Sequence, residues 1–510
     1  MKSLIEILEN TARKKPLKEM IVSPEERLMY FQVINRVRRL AGILAHDFHV
    51  EDGDRVLIQL KNSSQFIVSY FAVLEVGAVP VPLGIFLSKN EVSYIMKDSE
   101  PVLALSVEEF LDKLEGAKIE SGQEQVRLLS MDEAGQYDNV KKYLKHVRPY
   151  YRKNKDDFEK IAVIIYTSGT TGYPKGVMLT HGNLLANLKA SVERIPFQAS
   201  DHVLGFLPFY HSFAFTVCVL IPIYVGATIY IRPSVIPLQK FMWWAVNNGI
   251  TMFPGVPKVF YLLARSKIPL WFRLFNRIRM CISGAAPLDE NTLQNFEKTL
   301  RIPLLEGYGL SEASPVVSAN PLMGVRKALS VGPSLEGVDV KIIDKDEREL
   351  SVGSVGELIV KGPNVMKGYY KKEEETKEAI KNGWLFTGDI ARIDEEGYIF
   401  IVDRKKDLII VNGLNVYPRE VEVVLESYPK VKEAAVIKGM TTTFSEYPIA
   451  VLVIQEGAET SVDELNCFCQ ERLSPYKVPR RYYFCDSFPK TPTGKTLKRE
   501  IKIEEMEAAK

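Results

Sequence analysis

The stretch from Ile161 to Leu188 constrains this chain more than any other. Ile161-Ala-Val-Ile-Ile165 is an apolar, β-branched run of the length of a buried strand. Tyr166-Thr-Ser-Gly-Thr-Thr-Gly-Tyr-Pro-Lys-Gly176 follows, with three glycines, four hydroxyl side chains and Lys175 in eleven residues. His181-Gly-Asn-Leu-Leu-Ala-Asn-Leu188 then reads as the start of a helix. Glycines let neighbouring backbone N–H groups point inward together, hydroxyls donate to phosphate oxygens, and the lysine supplies positive charge. Such a loop fits a polyanion. It is not the Gly-x4-Gly-Lys-Ser/Thr phosphate loop, because no hydroxyl follows Lys175. The alternative is a polar surface turn, which the strand before and the helix after make less apt.

The same strand-and-helix alternation runs through the first hundred residues. Tyr30 to Leu44 carries apolar residues at helical spacing with arginines on the other face, and Arg55-Val-Leu-Ile-Gln-Leu60 is a strand. Asn62 to Val76 is helical, and Gly77-Ala-Val-Pro-Val-Pro82 returns to strand and loop. This pattern predicts layered α/β sheets with mainly parallel strands. Residues 108–158 read as a charged surface excursion, and Thr251-Met-Phe-Pro-Gly-Val-Pro-Lys258 as a turn-rich link into a helix. Met280 to Leu288 reads as strand, glycine turn and helix entry, with Pro287 near the first turn. Gly332 to Val402 is β-rich. A second α/β pattern begins after the charge run Asp403-Arg-Lys-Lys-Asp407, with helix at Pro418–Ser427, strands at Ala434–Lys438 and Ile449–Ile454, and helix at Ser461–Leu473.

A length of 510 residues exceeds one compact core. Domains are expected at 1–403, a large N-terminal α/β domain with a β-rich subdomain, and at 404–510, a small mobile α+β domain. The net charge of +2 gives no basic surface for nucleic acid. Five cysteines without metal spacing suit a reducing cytoplasm. The amphipathic start shows no signal peptide. Val203 to Ile231 lacks Asp, Glu, Lys and Arg and is long enough to span a bilayer. Pro208, His211 and Pro222 argue instead for a loop, a buried helix and the strand Ala227–Ile231 beside an apolar cavity.

Five motifs in order resemble the adenylate-forming (AMP-binding) superfamily, and within it the fatty acyl-CoA synthetases. They are Tyr166–Gly176, Gly307-Tyr-Gly-Leu-Ser-Glu312, Trp384-Leu-Phe-Thr-Gly-Asp389, Asp403–Asp407 and Pro489-Lys-Thr-Pro-Thr-Gly-Lys495. The resemblance implies that a carboxylate attacks the α-phosphate of ATP to give acyl-adenylate and pyrophosphate, and that coenzyme A then takes the acyl group. A carboxylate approaching a triphosphate meets like-charge repulsion, so donors and cations must neutralise the phosphoryl oxygens. On this resemblance Thr167, Ser168, Gly169, Thr170, Thr171, Gly172 and Lys175 hold the β- and γ-phosphates, and Glu312 binds Mg²⁺. Gly284, Ala285, Ala286, Gly307, Tyr308, Gly309 and Ser311 shape the adenine pocket, with Tyr308 stacking on the base. Ser311 stands where threonine is commoner in the family. Asp389 takes the ribose hydroxyls, and Arg404 contacts ribose or phosphate. Lys495 bridges the carboxylate and the α-phosphate, Lys406 is the hinge, and Gly413 lies beside the coenzyme A arm.

Asp403-Arg-Lys-Lys-Asp-Leu-Ile-Ile-Val-Asn-Gly-Leu-Asn-Val-Tyr-Pro-Arg-Glu-Val-Glu422 looks most like the fatty acyl-CoA synthetase signature. Leu207-Pro-Phe-Tyr-His-Ser-Phe-Ala-Phe-Thr216 places His211 over the carboxylate side. Phe213 and Phe215 either line an acyl tunnel or belong to the core. The expected partners are a medium- to long-chain fatty acid, ATP and coenzyme A, with no nucleic acid. Peripheral membrane contact and a homodimer stay open. So do a carrier-protein acceptor and a shorter, dicarboxylic or aromatic acid.

Overall fold

The structure is a computed structural model that describes residues 2–132, 139–144, 146–152, 157–167, 174–411, 414–440, 446–490, 496–503 and 506. The chain packs as two compact units, one of residues 1–339 and 360–385, the other of residues 340–359 and 386–510.

The first unit is built on an eight-stranded sheet. Its order is Val316–Ala319, Leu304–Gly309, Met280–Ser283, Met252–Gly255, His202–Gly205, Thr228–Ile231, Glu19–Val22 and Arg27–Met29. The central strands are parallel, and each edge strand is antiparallel to its neighbour. A second, four-stranded sheet is wholly parallel, in the order Val79–Pro82, Arg55–Gln59, Leu103–Ser106 and Arg127–Ser130. The third is antiparallel: Gly368–Tyr369, Lys175–Thr180 and Ile161–Thr167. Local chemistry sets the helix ends. The Ser63 hydroxyl accepts the Phe66 N–H to start Ser64–Val76, and Gly77, at φ 90°, ends it. A Cβ at Gly77 would also lie 2.3 Å from Asp52 Oδ1, so that side chain would have to move aside. Thr180 and Asn183 form a reciprocal cap that opens His181–Arg194.

A five-stranded sheet has the order Asp339–Ile343, Gly356–Lys361, Trp384–Ile393 and Ile380–Lys381, and Ile399–Arg404 also pairs with Trp384–Ile393. After the one-turn 3₁₀ segment Lys405–Asp407 comes the hairpin Ile409–Val411 with Leu414–Val416. Val431–Met440 then pairs antiparallel with Glu446–Ile454, to which Arg481–Phe484 adds in parallel. The helices Pro418–Glu426 and Val462–Gln470 share a core with these strands through Val421, Leu425 and Leu465.

The mixed α/β expectation holds, and two local readings need correction. Residues 108–158 are not only a surface excursion, since they contain the helix Glu108–Ser121 and the parallel strand Arg127–Ser130. The helix buries Phe110, Leu111, Leu114 and Ala117, so a helical stripe was present beneath many exposed charges. The turn-rich link at 251–258 contains the strand Met252–Gly255 inside the large sheet. Pro254 is tolerated there because this strand pairs over its full length with only one neighbour, meeting the other at Met252 alone. The helix after Met280–Ser283 begins at Glu290, capped by Asp289, with Pro287 just ahead of its first turn.

The uncharged segment folds into short buried pieces. His202–Gly205 is a strand, Ser212–Phe215 a helical turn, Thr216–Leu220 a π-helical turn, Ile221–Val225 a further turn and Thr228–Ile231 a strand. Among the described residues no helix is long and apolar enough to cross a membrane.

Candidate active site

Thr167 ends the strand Ile161–Thr167 and Lys175 begins Lys175–Thr180, and the two face each other in register. The glycine-rich sequence therefore links two strands that pair antiparallel. Ser168, Gly169, Thr170, Thr171 and Gly172 lie outside the described residues. Lys175 sits in the strand, and its Nζ lies 5.1 Å from the centre of the Tyr369 ring. The Tyr369 hydroxyl donates to Glu312 Oε1 at 3.0 Å. Burial, with Glu312 beside it, pushes the Tyr369 hydroxyl well above its ordinary pKa, so the proton stays on the phenol.

The backbone holds this trio in place. Met366 donates to the Glu312 carbonyl at 2.8 Å, Lys367 to the Met178 carbonyl at 3.0 Å and Tyr370 to the Gly176 carbonyl at 2.8 Å. Residues 366–370 thus stitch the strand Lys175–Thr180 to the turn that carries Glu312. Sequence reasoning missed Tyr369. Its only signal is an aromatic pair in Gly368-Tyr-Tyr370, which carries no chemistry by itself.

Gly307, Tyr308 and Gly309 end the strand Leu304–Gly309, with Tyr308 half-buried. A Cβ at Gly309 would stand 2.0 Å from the Pro315 carbonyl oxygen, so the chain turns back at a distance only glycine permits. Ser311, in the 3₁₀ turn Ser311–Ala313, has its Oγ 2.9 Å from Ser212 Oγ. At the end of the neighbouring strand, Gly284 is buried against the Phe213 ring, which a Cβ would approach to 2.9 Å. Ala285 adopts φ 69°, a left-handed conformation uncommon for a residue with a Cβ. Strand ends 280–283 and 304–309 are parallel neighbours, and in open α/β sheets ligands bind outside the carboxyl ends of the strands.

His211 immediately precedes the Ser212–Phe215 turn. Burial lowers its pKa to about 4, so the imidazole is neutral, and its buried Nε2 has no partner among the described residues. The neighbouring Tyr210 hydroxyl is likewise buried without one, and burial raises its pKa to about 12. Phe213 is half-buried, whereas Phe215 packs its ring on Tyr70 and Phe66 at 4.4 and 6.0 Å. Phe215 is core.

Glu306, just before Gly307, is a second residue the sequence did not mark. Its Oε1 accepts the Leu288 N–H at 3.0 Å, and burial raises its carboxyl to a pKa of about 8.

In the second unit, Asp389 and Arg404 are paired in register, and Arg404 Nε lies 2.7 Å from Asp389 Oδ1. Asp389 is only 2% exposed. Glu357, also unmarked in the sequence, accepts the Gly388 N–H at 3.3 Å through Oε1 and Lys405 Nζ at 2.6 Å through Oε2. It ties the strand around Asp389 to the segment that carries Lys406, which is exposed in the Lys405–Asp407 turn. Asp403 accepts the Arg404 and Arg419 N–H groups at 2.7 and 2.6 Å. Gly413 and Lys495 lie outside the described residues.

Glu312 fits a magnesium site of one particular kind. Among the described residues no group of three or more His, Cys, Asp or Glu side chains could hold a metal ion. A single carboxylate suits an ion that takes most of its ligands from phosphate and water.

The sequence profile of the AMP-binding enzyme family matches residues 8–370, and that of the AMP-binding enzyme C-terminal domain matches residues 420–495. The long-chain-fatty-acid–CoA ligase of Bacillus subtilis is 34% identical over 99% of this chain and 95% of its own length. The 2-succinylbenzoate–CoA ligase of Geobacillus kaustophilus is 33% identical over 89% of this chain and 88% of its own. Among solved structures, ATP-bound MatB from Rhodopseudomonas palustris superposes with a TM-score of 0.90 at 29% identity, covering 98% of this chain and 97% of that one. With the Lys175–Tyr369–Glu312 arrangement and the glycine-lined strand ends already in place, these matches make the chain a member of the AMP-binding enzyme family, an adenylate-forming ligase.

Proposed function

We propose that the protein is an AMP-forming acyl-CoA synthetase that activates a medium- to long-chain fatty acid. The observation that carries the substrate reading is the run from 203 to 231, which brings no charged side chain to the region beside Gly284. A dicarboxylate or an amino acid would need a counter-charge or polar anchor there. The relatives named long-chain-fatty-acid–CoA ligases support it. The similarity to a 2-succinylbenzoate–CoA ligase favours an aromatic acid as the second reading.

In this reading Thr167 and residues 168–172 hold the β- and γ-phosphates, and Lys175 adds charge to the leaving pyrophosphate. Glu312 holds Mg²⁺, oriented by the Tyr369 hydroxyl; the ion supplies charge neutralisation at phosphate oxygens. Tyr308 stacks on adenine, with Gly284, Ala285, Ala286, Gly307, Gly309 and Ser311 leaving room for it. Neutral His211 offers Nε2 to the acid's carboxylate side without the charge that would hold the acid as a salt. Asp389 takes the ribose hydroxyls and Arg404 turns from Asp389 toward ribose or phosphate. Lys495 meets the carboxylate and the α-phosphate, and movement about Lys406 exchanges it for the face carrying Gly413 before coenzyme A attacks. The proposed moving domain is 404–510, and the enzyme acts in the cytoplasm.

Lys495→Ala tests the scheme through its half-reactions. Pyrophosphate release from ATP and fatty acid should fall by orders of magnitude, while acyl transfer from preformed acyl-adenylate to coenzyme A stays near that of the parent. Equal loss in both would reject the role and the division of labour.

A further inference from the structure

Between Asp201 and Asp289 the chain contains no aspartate or glutamate, yet it carries eight lysines and arginines. The whole protein is only +2, so the remainder is net negative and this stretch is a pole of positive charge. Among the described residues, Arg279 is the one of the eight held by a carboxylate, pairing with Asp201 at 2.6 Å.

The same stretch exposes large apolar side chains. Trp243 is 64% exposed, Leu270 71%, Leu274 67% and Phe275 64%. They lie on two helices that pack together, Leu238–Asn247 and Leu270–Phe275. Orientation is fixed from inside: Phe241, Met242 and Phe272 are buried in the core beneath, with Trp244 and Trp271 packed against it. Leu270 and Leu274, one helical turn apart, therefore face out together. Arg273 and Arg277, both exposed, flank Leu274 and Phe275. An apolar surface rimmed by cations, with tryptophan among the outermost residues, has the make-up of a face that sits at a lipid headgroup boundary.

We propose that the face formed by Leu238–Asn247 and Leu270–Phe275 docks on an anionic phospholipid bilayer. Charge complementarity selects that occupant. A second copy meeting this face across a two-fold axis would bring two clusters of cations together with no acid in the stretch to offset them. No described helix is long and apolar enough to cross, so the protein lies on the bilayer rather than through it. Each cation near an anionic surface raises the partition coefficient about fivefold. The inference goes beyond the proposed reaction and does not depend on it, because binding to a vesicle needs no turnover.

The test is co-sedimentation of the full chain with vesicles of phosphatidylcholine alone and of phosphatidylcholine with phosphatidylglycerol, at low and high salt. The parent should sediment with the phosphatidylglycerol vesicles and be released by salt. Arg273→Glu with Arg277→Glu should lower the partition coefficient by about 25-fold or more. Leu274→Ser with Phe275→Ser should lower it on the order of tenfold or more while leaving its salt dependence intact. Lys345→Glu with Arg348→Glu, exposed elsewhere, should leave it unchanged. Circular dichroism establishes that each variant is folded. Equal sedimentation with neutral vesicles, equal loss in the distant variant or no loss in either face variant would overturn the proposal. So would a parent dimer in analytical ultracentrifugation that the face variants convert to monomer.

Discussion

Replacing Glu306 with Gln separates the charge of this buried group from its shape. The side chain is 7% exposed, accepts the Leu288 N–H at 3.0 Å and lies just before the Gly307-Tyr308 strand end. Burial, opposed by the Leu288 N–H and aided by the nearby Asp289 charge, raises its pKa from 4.5 to about 8. The folded protein therefore holds this proton more tightly than the unfolded chain. The resulting stability is complete below pH 4.5 and drains away as pH rises through 8. Each pKa unit corresponds to about 1.4 kcal/mol, so the loss between pH 6 and pH 8 is about 2 to 3 kcal/mol. Glutamine keeps the acceptor for Leu288 and cannot ionise. Its own cost, from placing a second N–H, is the same at every pH. Urea unfolding of parent and variant at pH 6, 7 and 8 should show a pH slope of the first unit's transition that is flatter in Glu306→Gln by this amount. Parallel slopes in the two proteins would refute the claim that Glu306 is protonated in the fold.

Tyr369→Phe keeps the ring beside Lys175 and deletes the donor to Glu312; adenylation should slow on the order of tenfold, read as pyrophosphate release, with a raised magnesium requirement. Gly284→Ala forces a Cβ to 2.9 Å from the Phe213 ring, costing about 1 to 3 kcal/mol unless the ring gives way. A melting temperature unchanged from the parent would show that Phe213 moves freely. Burial depresses His181 to about pKa 3 and His211 to about 4, so both are neutral in the fold and charge readily when unfolded. Their contribution is present above pH 6.5 and lost as pH falls toward 4, and acid unfolding should begin in that window and shift downward in His211→Gln. Glu357→Gln should loosen the tie between Lys405 and Gly388, raising protease sensitivity near Lys406 more than it lowers thermal stability.

Much of the fold was legible because strands and helices alternate with clear periods. Arg55–Gln59 and Ser64–Val76 stand within a residue or two of where their patterns place them. Glu108–Ser121 was hidden because its exposed face is crowded with charge, which masks a four-residue apolar stripe. Met252–Gly255 was hidden by Pro254, since a proline argues against an inner strand unless the neighbouring backbone can do without its donor. At the site, Glu312 and Lys175 announce themselves by residue type and motif. Tyr369 and Glu357 could not, because their roles arise from contacts to residues 57 and 48 positions away. Glu306 reads as an ordinary strand-end glutamate, and only its depth makes it a neutral acid.

The central claim is that an apolar acid is joined to coenzyme A through an adenylate. Initial rates of AMP formation with saturating ATP and Mg²⁺, with and without coenzyme A, across acids from acetate to oleate and including 2-succinylbenzoate, test it most directly. Coenzyme A-dependent AMP formation peaking at medium or long chains is the predicted result. A peak at acetate or 2-succinylbenzoate, or turnover indifferent to coenzyme A, would contradict it.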